Sequence, residues 1–550
     1  MPSKFMKGAM ILSMSMFLVR VLGLLYVIPF QGLVGAAGLA LYGYAYVPYS
    51  LLVSLSGLGI PGGIAKFIAK YNATGEYDTS RKMFRLSMAF MIFLGLVSFL
   101  IMFTTAPLFA RIVIRGDDMY NTVAHVTTAI RMVSFAVLVV PPMSIFRGFF
   151  QGNQDMAPTA MSQLVEQLVR IFLIVAGSFV IIRLLPNGTT QMAVNVSVFA
   201  AFVASIGAFF VLYRHWLKTK PLFDRQLKMT KPHPKRDLWL LFKELLSYAL
   251  PFALLSLVVT WFQLVDTVTF NWAMLRAGVD PLLTEQIFGI YVTALLKIVM
   301  IPVSFAIAFG QPLMPVITEK IQKKDIKGFY QTATTAITLT TFVTVPAVIG
   351  IGMLSNPIFI MLFNQHENTE LNAIGGMMFG FGALLGVFMA VNTILNAIMQ
   401  GIERQYVALK FLALGIVVKV LMNVILIPLF AVNGAILATI LAYTVCIVLQ
   451  FLDIKKRTGI RLKVILKRQI AIVIFALLMA LAVWLTTRIL GTFLDYNVSR
   501  THASLYVLIS GFVGVLVYGF LALYFDVAKQ LFGARFSVEG ILARLKNKKR

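Results

Sequence analysis

Fourteen apolar stretches, each close to the length of one bilayer crossing, recur along this chain of 550 residues. They lie at 9–30, 41–60, 83–106, 124–147, 159–182, 191–213, 248–272, 286–312, 328–353, 371–399, 407–428, 434–452, 469–490 and 502–525. A spanning helix needs roughly 20 apolar residues, because each residue rises 1.5 Å through a hydrocarbon core about 30 Å thick. Clusters such as Gly35-Ala36-Ala37-Gly38, Pro186-Asn187-Gly188, Asn356-Pro357 and Asn433-Gly434 read as turns between them. The internal stretches are apolar all round, and none alternates as a barrel strand does. The fold class is therefore all-α, a polytopic membrane protein of fourteen helices. Composition agrees: 59% of residues are hydrophobic and 13% charged. A folded domain in water needs a larger polar skin than that. A soluble enzyme, a nucleic-acid binder and a disordered chain are excluded.

The net charge of +27, from 48 basic and 21 acidic residues, is then topological, since Lys and Arg gather on the cytoplasmic side. With the N-terminus inside and sides alternating, the outer connections hold only Arg111, Arg115, Arg183, Arg276, Arg488 and Arg500. Arg20, Arg131, Arg170, Lys297 and Lys419 fall within spans, leaving 37 of the 48 cytoplasmic or at that boundary. An even number of helices with both termini cytoplasmic satisfies the bias. Lys4 and Lys7 precede a first segment too long for a signal-peptide core, which reads as a retained helix. One cysteine, Cys446, and five scattered histidines supply neither a disulfide framework nor a metal-ligand set, and no cofactor is expected.

The largest hydrophilic interruption, 214–243, separates six segments from eight. Residues 1–216 read as an N-terminal lobe, 217–238 as a basic cytoplasmic linker, 239–452 as a C-terminal lobe, and 453–550 as two further helices with a basic tail. Gln151-Gly152 and Gln400-Gly401 end corresponding segments, each followed nineteen residues after its Gln by a basic residue, Arg170 or Lys419. Pro61 and Pro312 close the second and eighth segments. An offset near 250 in both comparisons points to a six-plus-six repeat. Repeats of this kind suit a transporter that handles its substrate between two halves.

Function must come from the polar groups held inside the membrane. A charge at a helix centre costs about 2.5–3.5 kcal/mol, so each needs a partner or a wet cavity. Glu166 and Arg170 are four apart on one helix face and can pair, either as a packing device or as part of a site. Arg131 is near enough to a helix end to snorkel. Arg20 and Lys297 have no acid nearby in sequence and sit at corresponding depths. Facing a common cavity, they would form a cationic site suited to phosphate or pyrophosphate. An antiporter of cationic drugs would need the opposite sign. Gly57-Leu58-Gly59-Ile60-Pro61-Gly62 fits a dinucleotide pattern but follows no strand, and reads as a helix terminator. Gly376-x-x-x-Gly380 and Gly382-x-x-x-Gly386 read as packing faces, with bending as the second reading.

Arg20-Val21-Leu22-Gly23, Tyr44-Ala45-Tyr46-Val47-Pro48-Tyr49 and the run Gly59 to Lys66 resemble the MurJ-type lipid II flippases of the multidrug/oligosaccharidyl-lipid/polysaccharide exporter superfamily. Gly148-Phe149-Phe150-Gln151-Gly152, Ala157-Pro158-Thr159-Ala160 and Glu166 to Arg170 resemble the Gram-positive branch, close to the stage V sporulation protein B group. The resemblance implies alternating access between two six-helix lobes, with helices thirteen and fourteen bordering a groove for a polyprenyl tail. Its implied cargo is lipid II, an undecaprenyl-pyrophosphate-linked glycan, moved from the inner to the outer leaflet of a bacterial cell membrane. A headgroup with about two negative charges leaving a negative interior gains about 2.3 kcal/mol per charge per 100 mV, so the membrane potential is the expected driving force. Membrane lipids and the cell-wall synthesis machinery are the implied partners. The alternatives are a flippase for another polyprenyl-linked glycan and a MATE-like antiporter.

Arg20 matches a functional arginine of the family and Lys297 a cationic position of its eighth helix. Where many Gram-negative members carry an Arg-Asp pair this chain has Tyr26-Val27, and Leu52 stands at the place of a second-helix arginine. The headgroup site is therefore expected to draw on Arg170 and Glu166. Some relatives hold sodium with a seventh-helix acid, for which Asp266, Asn423 and Thr439 are the counterparts here. Lys419, one turn before Asn423, is expected to pair with Asp266 in the ion's stead, as a coupling device or a purely structural pair.

Overall fold

The computed structural model describes residues 14–15, 18–57, 60–116, 118–232, 237–364, 369–459 and 462–527. Lys4, Lys7, Leu58 and Gly59 of the glycine pattern, 233–236 of the basic segment and the tail 528–550 lie outside them. Among the described residues every regular element is helical. Eleven helical runs there are long and apolar enough to cross a bilayer. Large apolar side chains such as Phe93, Phe172, Phe210 and Phe512 stand exposed on their outer faces, as a lipid boundary requires.

Residues 18–25 are helical and pass through a turn at Tyr26 into α1 (Val27–Gly57). α1 is two helices joined at Gly35, whose φ of 71° and ψ of 178° only glycine adopts readily. There follow α2 (Ile60–Thr74), α3 (Tyr77–Val113), α4 (Val123–Gly152), α5 (Ala157–Phe179) and α6 (Thr190–Lys228). Next are α7 (Leu238–Ser256), α8 (Val258–Arg276) and α9 (Pro281–Gly289), the last joined to α10 (Leu296–Gln322) by a wide π turn at Ile290–Leu295. The remainder are α11 (Ile326–Met353), α12 (Ser355–Phe363), α13 (Thr369–Gly382), α14 (Leu385–Gly401), α15 (Gln405–Thr458), α16 (Leu462–Leu490) and α17 (Arg500–Tyr524). At 54 residues α15 would be about 80 Å long if straight. It reverses instead at Ala431 (φ 51°, ψ −134°), so that α15 stands for two crossings, and the eleven runs among the described residues are consistent with a larger number of spans.

Helix starts follow their caps. Thr122 and His125 form a reciprocal capping box at α4, and Asp280 accepts from the Leu283 amide with Pro281 at the first helical position of α9. Two turns differ from expectation. The reversal at Ala431 precedes Asn433-Gly434, just past Pro428, which lacks the N–H to continue the ladder. Asn356-Pro357 lies in the first turn of α12, where proline is tolerated, and the break falls at Leu354. The basic segment is helical as far as Lys228, where α6 ends. Arg81 joins Asp224 at 3.4 Å and lies over the Trp216 ring, which steadies this extension. Gly376 and Gly380 meet Asn356 and Ser355 of α12, and the chain also breaks its helix after Gly382, so the tenth apolar segment both packs and bends there.

The repeat expected from sequence has a backbone counterpart. Gly75 (φ 82°) and Lys324 (φ 56°) end α2 and α10 in the left-handed region, 249 residues apart. Gln154 (φ 61°) and Glu403 (φ 59°) do the same after α4 and α14, at the same offset.

By packing, the chain divides into two compact units: Met1–Lys297 with Gln405–Ala435, and Ile298–Arg404 with Ile436–Arg550. In the first, Ile64, Phe67, Phe84, Phe146, Phe149 and Phe150 centre an aromatic core between α2, α3 and α4. In the second, Phe475, Met479 and Val483 of α16 pack with Leu354 and Tyr518.

Candidate functional site

The first unit holds most of the polar residues singled out above. Arg20 lies in the short helix 18–25, exposed on a cavity of about 240 Å³. Arg147 of α4 and Gln163, Glu166, Gln167 and Arg170 of α5 line the same cavity with Val19. The four α5 residues share a face because helical side chains three and four apart are neighbours. Glu166 Oε1 accepts from Arg170 at 2.5 Å and its Oε2 from Arg147 at 2.8 Å. Arg147 Nε also donates to Ser162 Oγ at 3.0 Å. Arg20 makes no ion pair among the described residues, so the cavity carries three guanidinium groups against one carboxylate. A larger cavity of about 350 Å³ is lined by Trp239, Leu250, Pro251, Leu254 and Leu409, with Lys243 its one charged residue. Its walls are otherwise mostly apolar, with Ser247 and Tyr406 as the polar exceptions, so it gathers fewer charged groups than the smaller cavity.

Lys297, expected beside Arg20, is not a wall of that cavity. Its ammonium donates to Tyr26 Oη at 2.8 Å and stands 4.1 Å above the centre of that ring. Tyr26 Oη lies 3.3 Å from Tyr42 Oη, and Tyr42 stacks on Tyr46, so aromatic hydroxyls continue from Lys297 along α1. The departure at Tyr26 thus supplies the lysine with a neutral partner that leaves its charge uncancelled. Leu52 is half-buried. Arg131 lies 5.0 Å over the Phe103 ring and donates to the Phe103 carbonyl at 3.4 Å.

Asp266 and Lys419 form a separate, dry centre. Their side chains are 3% and 0% exposed, and Lys419 Nζ is 2.6 Å from Asp266 Oδ1. The ammonium also donates to the Ala435 carbonyl at 2.9 Å, across the reversal in α15. Asn423 donates to Asp266 Oδ1 at 2.9 Å and to Thr269 Oγ1 at 2.8 Å, while Tyr291 donates to Asp266 Oδ2 at 2.9 Å. Both carboxylate oxygens are therefore engaged by protein donors. Thr439 is buried and belongs to the second unit.

Sequence patterns match the description Lipid II flippase MurJ over residues 289–500, and Polysaccharide biosynthesis protein over residues 5–321. The Bacillus subtilis (strain 168) protein named Lipid II flippase MurJ is 37% identical over 97% of this chain and 98% of its own length. The chain belongs to the lipid II flippase MurJ family. Stage V sporulation protein B of the same organism is 24% identical over 59% of this chain and 60% of its own. A solved structure titled Lipid II flippase MurJ, inward closed conformation, superposes with a TM-score of 0.69 at 16% identity, covering 94% of this chain and 99% of that one. An inward-facing MATE family transporter gives 0.64 at 16% identity, covering 80% of this chain and 98% of the other. These two share the fold. The chain is a multi-pass membrane protein of the transporter type, and not an enzyme.

Within the family frame, two features escaped the sequence reading. Arg147 ends an apolar segment in the sequence, where snorkelling is the default, but α4 continues to Gly152 and holds it inside. Glu285, fully buried, accepts from the Asn121 amide at 3.0 Å and from its Nδ2 at 3.2 Å, while Nδ2 also donates to the Ala37 carbonyl at 3.1 Å. Partners 164 residues apart leave no local signal.

Proposed function

We propose that this protein is a flippase that carries lipid II from the inner to the outer leaflet of a bacterial cell membrane by alternating access, serving peptidoglycan and cell-wall biogenesis. The observation that carries the reading is a cationic, membrane-level cavity in a chain 37% identical to a lipid II flippase over nearly its whole length. The phosphates of the headgroup would meet Arg20, Arg147 and Arg170, with Glu166 among them, and Lys297 would act from its place beside Tyr26. Both termini would be cytoplasmic, the lobes would be 1–216 and 239–452, and the cell-wall synthesis machinery would be the neighbouring partner. A flippase for another polyprenyl-linked glycan is the second reading, favoured by the match to the polysaccharide biosynthesis pattern over 5–321.

Depletion of the native flippase, with complementation by wild type, Arg20→Ala or Lys297→Ala, tests the assignment. Lipid II exposed on the outer leaflet should return with wild type and fall at least tenfold with either variant, on the scale of about 1.4 kcal/mol per decade for a lost charge-assisted contact. Full exposure from both variants would remove these residues from the site. Failure of wild type to restore exposure would turn the assignment to another glycan lipid.

The driving force follows from charge. Each elementary charge crossing the membrane gains about 2.3 kcal/mol per 100 mV, and a pyrophosphate diester leaving a negative interior gains roughly twice that. The net-cationic empty site is drawn back inward by the same field. The Lys419 ammonium, with Asn423, supplies Asp266 with a resident cation, so transport should not require sodium. In liposomes, flipping should fall when the potential is collapsed and stay unchanged when potassium replaces sodium. Equal rates without a potential would refute the first expectation, and sodium dependence the second.

A further inference from the structure

Glu166 is the one acid in a cavity with three guanidinium groups, and each of its two oxygens holds a different arginine. Arg147 is fixed a second time by Ser162 Oγ, which leaves Glu166 as one of two restraints. Arg170 is less well served, because its Nε is buried without an acceptor. Arg20 opens onto the same space with no carboxylate of its own among the described residues. The donors in the cavity therefore outnumber what one carboxylate can satisfy. A carboxylate bridging two guanidiniums also takes the place that a phosphate group, with more oxygens and more charge, would fill more completely.

We propose that Glu166 is a resident surrogate for the cargo's phosphate, holding Arg147 and Arg170 in position while the cavity is empty and yielding them when a pyrophosphate enters. This rests on the reading of the cavity as the headgroup site. The exchange puts one anion on Arg147 and Arg170 in place of another, so neither guanidinium is left without a counter-charge in the loaded or the empty cavity. Loading is then reversible, as a carrier that must release its cargo requires. The unsatisfied Arg170 Nε, and Arg20, which makes no ion pair among the described residues, are donors that Glu166 does not reach. They bias the exchange towards an anion with oxygens on two phosphorus centres, and so towards pyrophosphate over a single phosphate.

The test uses the purified full chain in nanodiscs of neutral lipid, with inorganic pyrophosphate and inorganic phosphate as probes at fixed ionic strength. Unfolding is followed by labelling of Cys446, the chain's one cysteine, which is buried. Glu166→Gln should unfold at a lower temperature than wild type without ligand, recover with pyrophosphate more than wild type does, and bind pyrophosphate at least tenfold tighter. A packing ion pair predicts the lower midpoint without the recovery. If Arg20→Ala weakens binding while Glu166→Gln gains neither affinity nor recovery, the surrogate role is overturned and the headgroup site stands. If wild type and Arg20→Ala bind pyrophosphate equally, the site reading itself is overturned. Should Glu166→Gln fail to fold, Glu166→Asp keeps the charge but shortens the bridge. It should then bind pyrophosphate a few-fold tighter than wild type, and unchanged affinity would refute the proposal.

Discussion

Lys419→Met is expected to destabilise the folded chain by about 3–5 kcal/mol, the cost of leaving one partner of a buried ion pair uncompensated. The side chain is fully buried, its nitrogen is 2.6 Å from Asp266 Oδ1, and the carboxylate side chain is itself only 3% exposed. Asn423 and Tyr291 would remain as donors to Asp266, but both are neutral. The same substitution removes the tie from Lys419 Nζ to the Ala435 carbonyl and so loosens the reversal in α15. Adding Asp266→Asn should recover most of the loss, because two neutral side chains of similar shape no longer require a counter-charge. Thermal unfolding of the single and double variants, read by labelling of Cys446, measures this. Two losses that simply add would show that the pair is not the source.

Gly289→Val should cost about 3 kcal/mol by overpacking. At this position α9 lies directly on α1, and a side-chain carbon would meet the Ala36 carbonyl and the Ala40 amide, with Leu39 Cβ at 3.2 Å. Backbone atoms cannot swing aside as the end of a flexible side chain can, so the helices must separate. The nearby Glu285–Asn121 contact and the Tyr44–Phe288 stack, with ring centres 4.7 Å apart, would open together. Gly289→Ala should show the same defect in milder form. The readout is the unfolding midpoint together with hydrogen exchange of the amides around Asn121. An unchanged midpoint for the valine variant would mean that α9 and α1 do not approach this closely.

Much of this architecture was legible because membrane spans announce themselves. The apolar runs, the turn at Gly35 and the four-residue spacing of Glu166 and Arg170 follow from local chemistry alone. The repeat showed in sequence as Gln-Gly pairs and recurs as matched left-handed residues at Gln154 and Glu403. What could not be read was contact between distant segments. Arg147 joined Glu166 only because α4 runs one turn past its apolar stretch, a boundary that polar residues at a helix end do not mark. Lys297 matches Arg20 in depth, yet depth does not fix the direction around a helix, and its contact with Tyr26 could not be read from the sequence. Glu285 and Asn121 carried no pattern at all.

The wide turn at Ile290–Leu295 has a practical consequence for anyone mapping this helix by chemical probes. A π turn takes more residues than 3.6 to complete a revolution, so the angular phase slips between Gly289 and Leu296. A single helical wheel drawn from Pro281 to Gln322 would assign Lys297 and the residues beyond it to the wrong side. Cysteine pairs for crosslinking should be selected from two separate wheels, one on each flank of the slip.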